Sequence, residues 1–356
     1  MSGQRNTTRR LPDETHEISR RTALGAAAAL AAPFAARGQT RAVRFSFDWL
    51  FSGPYAFGAA GVTQGFFREA GLEVSLSRGF GSARVPLDMA AGSFDVAMCD
   101  PTPLLRFMSQ NPNNDLIAVG LMWDQAPTAV TVRADGPITQ ISHLAGKTLA
   151  APEFDGGRQV FPVFAAINNI PFSSINWLSV APELREPMLA QRRADGITGF
   201  VTSTALSLKA LGMDLPAQRI FRYREHGMDF FYGSVLLTTR TYAERNPDTL
   251  RALVGALYRS MKWSFHNRAG AIAALQAREP LTDVAIETIR QTMAMDELVD
   301  GPNVRRLGMG VIEAPRLQRQ IEAVKQAYNL GDMPSPDRFH TDRFLPPAAE
   351  RVLVLN

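Results

Sequence analysis

The chain has 356 residues, 46% of them hydrophobic and 20% charged, with a formal net charge of +4 and one cysteine. That length and composition provide for one large or two medium domains with real cores, and the lone Cys99 excludes an internal disulfide framework and a cysteine-built zinc site. Residues 1–38 hold six of the 38 basic and three of the 34 acidic side chains, so the remaining 32 basic and 31 acidic nearly cancel and leave no basic patch of the kind nucleic-acid binding needs.

In chain order, the first signal is "SRRTALGAAAALAAPFAARGQ", where Ser19-Arg20-Arg21 precede an apolar run over residues 23–36. The run is shorter than the roughly 20 residues of a membrane span and fits the middle of an export signal. Paired arginines before an alanine-rich run resemble a twin-arginine signal, although Ala23 stands where that pattern prefers Phe. Small residues at Ala36 and Gly38 permit cleavage before Gln39. No later stretch is long and apolar enough for a span, so the mature chain is expected to be soluble, not membrane-embedded, and periplasmic.

From residue 42 strand-like and helix-like segments alternate. "VRFSFD" reads as a strand, "FGAAGVTQGFFREAG" as one helix stopping at Gly71, "LEVSLS" as a strand, "SARVPLDMAAG" as a helix and "FDVAMC" as a strand. A helix from Pro101 and the strands "LIAVGLMW" and "TAVTVRA" follow. A second set begins near Ala129, with strands in "KTLAAP", "INWLSV" and "DGITGFV" and helices in "GGRQVFPVFAAINN" and "ELREPMLAQRR". After the strand in "YGSVLLTTR" the pattern over residues 241–330 is almost wholly helical, and "FLPPAAERVLVLN" reads as peripheral. The alternation predicts α/β layers with largely parallel sheets.

The enzyme signatures fail one by one. Gly79 and Gly81 follow the second strand instead of the first, and Arg84 stands where the dinucleotide fingerprint needs its third glycine. Gly146-Lys147-Thr148 lacks the phosphate loop's earlier glycine, that position being Ile141. No nucleophile elbow occurs. The five histidines show no metal spacing. Cys99 lies in an apolar strand and reads as a buried inert thiol. What recurs is an acid at strand ends: Asp48, Asp100, Asp124 and Asp155. Ligands of open α/β sheets bind there, and Asp equally caps helices there. With Trp49, Tyr55, Phe80 and Trp123 beside them, the four acids point to an aromatic-walled cleft rich in acceptors.

Three motifs carry a family likeness: Gly65-Phe66-Phe67 with Gly71-Leu72 and Val74; Gly79, Gly81 and Ser82; and Ala90, Gly92, Asp95 and Ala97. With "HLAGKTLAAP" and "LAQRRADGITGF" they resemble the periplasmic solute-binding proteins of ABC importers, of the nitrate/sulfonate/taurine and thiamine-pyrimidine-precursor type. The resemblance covers roughly residues 43–232. It implies a two-lobed (type II) α/β fold, each lobe a mixed sheet flanked by helices, with a helical C-terminal region. Lobe 1 would be residues 42–128 plus 235–356 and lobe 2 residues 129–234, after an export signal at 1–38.

The resemblance further implies a monomer, without cofactor or metal, that closes on a small molecule and presents it to a membrane permease and its ATPase, with no bond made or broken. The candidate ligand residues are Asp48, Trp49, Tyr55, Gly81, Ser82, Asp100, Thr102, Trp123, Asp124, Asp155, Gly157, Arg158 and Tyr232. Arg158, at a helix start, reads either as an anion holder or as a solvated first-turn residue. Acids beside aromatic rings favour an amino-bearing heteroaromatic such as a thiamine pyrimidine precursor. The alternatives are a sulfonate-, taurine- or nitrate-like anion, or a pyrimidine-synthase-like enzyme. The synthases carry a cysteine-rich iron motif that one cysteine cannot supply.

Overall fold

Short apolar runs such as "VAMC" and "LIAVGL" are buried at every position, the pattern of strands covered by helices on both faces. Runs of this kind build two five-stranded sheets. The computed structural model describes residues 40–353 together with Gly3; the export-signal reading at residues 1–38 otherwise lies outside the described residues. The first sheet joins β1 (Arg41–Ser46), β2 (Leu72–Ser77), β3 (Val96–Cys99) and β4 (Leu116–Leu121). The second joins β5 (Thr128–Arg133), β6 (Thr148–Ala151), β7 (Asn176–Ser179), β8 (Gly196–Phe200) and β9 (Gln218–Arg222). β10 (Val235–Thr239) returns to the first.

The two sheets share one plan. Their orders are β2-β1-β3-β10-β4 and β7-β6-β8-β5-β9. β1 pairs parallel with β2 and β3, and β6 with β7 and β8. The fourth place in each is held by an antiparallel strand that has just arrived from the other lobe: β10 in the first, β5 in the second. The sheets are therefore mixed, as the family resemblance implied, and less parallel than the alternation alone suggested. The expected order of elements holds through the first set. The long helix expected to reach Gly71 is broken, because Gly65 takes a left-handed turn (φ +80°) between the helices Ala56–Thr63 and Phe66–Glu69. The helix Val201–Ala210 and strand β9 had no counterpart in the sequence reading; "TSTALSLKAL" has weak amphipathic contrast because it is buried on several sides.

The C-terminal region is helical as expected but not peripheral. Phe344 and Leu353 are buried in the first lobe's core, Arg351 is nearly so, and the His266 ring bonds to the Leu353 carbonyl at 2.6 Å. Two helices of this region touch both lobes. The helix Ala314–Tyr328 packs on both Pro101–Gln110 and Gly156–Ile167. The helix Val284–Ala294 runs directly into a π-helical turn, Met295–Val299. There Arg290 Nη1 donates to the Thr202 and Ser203 carbonyls (3.0 and 2.8 Å) while Nε donates to Glu287 (3.0 Å), which itself accepts the Gly53 N–H at 2.6 Å. Glu297, on the π turn, pairs with Arg224 at 2.6 Å and Arg222 at 3.4 Å. These bonds tie the lobes at the rim of the cleft.

Candidate functional site

The cleft lies where the loops after β1 and β6 meet. A narrow cavity there, of about 10 Å³, is lined by Asp48, Trp49 and Ser82 from the first lobe and by Asp155, Gly156, Arg185, Phe200 and Ser203 from the second. The lobes touch at the "GFGSA" turn. Gly81 adopts φ +122°, and a Cβ on it would stand 2.2 Å from the Phe154 carbonyl oxygen across the cleft. The Ala83 N–H donates to that same oxygen at 3.2 Å. Only glycine lets the two backbones approach this closely.

Asp48 is almost completely buried, and its carboxylate accepts three hydroxyls: Tyr55 at 2.8 Å, Ser82 at 2.6 Å and Ser234 at 3.2 Å. Burial pushes its pKa up, and these hydroxyls pull it back only in part. Asp100 caps the helix Pro101–Gln110, accepting the Thr102 N–H at 2.7 Å. Burial raises it to about 7, with Asp48 and Asp155 adding to the shift. The Cys99 thiol beside it is buried and pushed up by burial.

Across the cleft, Asp155 caps the helix Gly156–Ile167 by accepting the Arg158 N–H at 2.8 Å. It also accepts from Thr198 (3.2 Å) and from Arg185 Nη1 (2.9 Å). Burial raises its pKa against the pull of Arg185. Arg185, 1% exposed, is also bonded to Glu186 at 2.6 Å, and its guanidinium lies 4.9 Å from the centre of the Trp49 ring. Burial pulls its pKa down, but Glu186 and Asp155 more than reverse this.

The thirteen residues singled out from sequence divide into three groups. Asp48, Trp49, Ser82 and Asp155 line the cavity. Tyr55, Gly81, Asp100 and Thr102 stand directly behind them; Trp123 packs between Tyr55 (5.4 Å) and Phe200 (5.8 Å), and Gly157 receives the Tyr223 hydroxyl on its carbonyl. Thr102 Oγ1 and Trp123 Nε1 are buried without a hydrogen-bond partner among the described residues. The others point elsewhere. Asp124 pairs with Arg316 at 2.8 Å. Tyr232 accepts the Glu313 N–H and lies under the same Arg316, 3.8 Å from its ring centre. Arg158 turns to Ser179 (2.8 Å) and the Trp177 ring (4.8 Å). Phe80, expected as a cleft wall, is 55% exposed under Arg78. The sequence reading missed Arg185, Phe200 and Ser203. Arg185 sits in a run of charged residues, "ELREP", which reads as a solvated helix start, and nothing local marks it as buried.

Two lobes of common plan closing on a polar cavity define the fold of the periplasmic binding proteins. Residues 56–271 match the model of the NMT1/THI5-like family, and the chain belongs to that family. Among solved structures it is similar to a protein of Bordetella bronchiseptica RB50, at 19% identity and TM-score 0.67 over 86% of this chain and 96% of that one. The alkanesulfonate-binding protein SsuA from Xanthomonas axonopodis pv. citri, bound to MOPS, matches at 15% identity and TM-score 0.63, covering 89% and 97%. The periplasmic nitrate-binding protein NrtA from Synechocystis PCC 6803 matches at 12% and 0.66, covering 88% and 91%. No curated protein matches the chain. Among the described residues no helix is long and apolar enough to cross a membrane.

Proposed function

We propose that this chain is the solute-binding component of an ABC importer: exported to the periplasm, freed of its signal, and closing as a monomer on a small molecule for delivery to a permease and its ATPase. It binds without chemical change. The family membership and the sulfonate- and nitrate-binding relatives of the fold support this reading. Affinity is expected in the range of about −8 to −12 kcal/mol, micromolar to nanomolar.

The favoured ligand is a compact amino-bearing heteroaromatic, such as a thiamine pyrimidine precursor. One observation carries this: two buried acids, Asp48 and Asp155, line the cavity beside Arg185, whose guanidinium is held by Asp155 and by a third buried acid, Glu186. Arg185 has five N–H groups, and four are taken by Asp155, Ser203 and, twice, Glu186. One donor is a poor holder for an oxyanion, whereas carboxylates accept ring amino groups well. Trp49 and Phe200 supply faces for a flat ring. The second reading, a sulfonate- or nitrate-like anion, draws on Arg185 itself and on the start of the helix Gly156–Ile167 at the cavity wall.

Titration calorimetry with 4-amino-5-hydroxymethyl-2-methylpyrimidine and with taurine separates the two. Tight pyrimidine binding with none for taurine is expected; the reverse overturns the ligand assignment. Mass spectrometry of small molecules released from freshly purified protein checks the result without a presumed ligand.

A further inference from the structure

Next to the cavity lies a second, larger space. A groove of about 260 Å³ opens to solvent between the helix Val284–Ala294 and the second lobe; Leu50, Leu211 and Ile286 wall it, with charged residues such as Glu183 and Asp283 also along it. It shares Trp49, Arg185 and Ser203 with the cavity. One stacked pair therefore stands between the two spaces.

Arg185 is held from both sides. Nη1 bonds to Asp155, which lines the inner cavity, while Nε and Nη2 bond to Glu186, which lines the outer groove. Nη2 also donates to Ser203 at 3.2 Å, on the boundary. Behind it, Gly199 makes room: a Cβ there would stand 2.5 Å from Nη1. Trp49 covers the guanidinium face. Arg185 cannot step aside without leaving two buried carboxylates uncompensated, which is costly.

We propose that Arg185, backed by Trp49, is a specificity-determining partition that sets the length of ligand the cleft accepts. Compact solutes end against it. The outer groove, through its Leu50, Leu211 and Ile286 wall, is the subsite that an alkyl-tailed relative of the same solute enters when the partition is withdrawn. The inference rests on the inner cavity being the ligand site.

The test is calorimetry with two probes, 4-amino-5-hydroxymethyl-2-methylpyrimidine and the same ring carrying a hexyl ether on its hydroxymethyl group. Wild-type protein is expected to prefer the short probe by about 100-fold or more. Trp49→Ala keeps every hydrogen bond of Arg185 and is expected to shrink that preference by about tenfold or more, whatever it does to absolute affinity. Arg185→Ala, once circular dichroism shows it folded, is expected to do the same. An unchanged preference in Trp49→Ala overturns the partition, as does wild-type protein binding both probes equally. Failure of wild-type protein to bind either probe overturns the ligand reading of the cavity, and the partition falls with it.

Discussion

The two lobes place an aspartate at corresponding points, after β1 and after β6, which hold the same place in their sheets, yet keep it in opposite ways. In the first lobe Asp48 pairs with no cation among the described residues; three hydroxyls surround it. In the second, Asp155 is locked to a buried arginine. Hydroxyls rotate and can serve a different acceptor, whereas a guanidinium bonded to two carboxylates is fixed. The difference teaches that the first lobe holds the adaptable half of the site and the second its rigid wall.

The comparison is sharpest in stability. Asp155→Ala leaves Arg185 with Glu186 as its one buried carboxylate partner, removes a helix cap, and is expected to cost about 3 kcal/mol in urea denaturation. Asp48→Asn strands no charge and should cost only about 1 kcal/mol. Equal losses would break the contrast. Next in size is Gly81→Ala, which sets a methyl against the Phe154 carbonyl and props the lobes apart. Ligand affinity is expected to fall about 100-fold, or ~2.7 kcal/mol, with small-angle scattering showing no compaction on ligand addition.

A subtler effect concerns Asp100, whose pKa near 7 lies above the ordinary 3.8. Between those values the folded chain keeps a proton that the unfolded chain releases. Its contribution to stability is therefore full below about pH 4 and lost as the pH rises through 7. Asp100→Asn is expected to flatten the urea midpoint's dependence on pH across that window, leaving the slope due to Asp48 and Asp155. The smallest expected change is at the rim. Glu183→Ala removes an exposed pair with Arg78 across the lobes (3.2 Å) and should alter ligand affinity by about twofold at most, less at high salt.

How far the sequence foretold all this depends on the range of the interaction. The "GFGSA" turn and the strand-end acids were legible because turns and helix caps are local: Asp100 and Asp155 each bond to the backbone two or three residues on. Whether an acid faced the cleft was not local. Asp124 looked like Asp100 in sequence, but its partner Arg316 lies 192 residues away. Arg185 was illegible for the same reason, since its burial depends on Asp155, Ser203 and Trp49 arriving from other segments. Arg158 misled because a first-turn arginine can turn either way, and Ser179 on the neighbouring strand took it.

The place of β10 has a consequence for how the chain is made. It lies between β3 and β4, yet it is synthesised after every strand of the other sheet. The stretch from β5 to β9 is contiguous and all its strands are synthesised by residue 222. The half that begins the chain must wait with a gap in its middle, held open for more than a hundred residues, until the returning strand closes it. The half that begins the chain is thus the one that needs its end, since Phe344 and Leu353 also belong to its core.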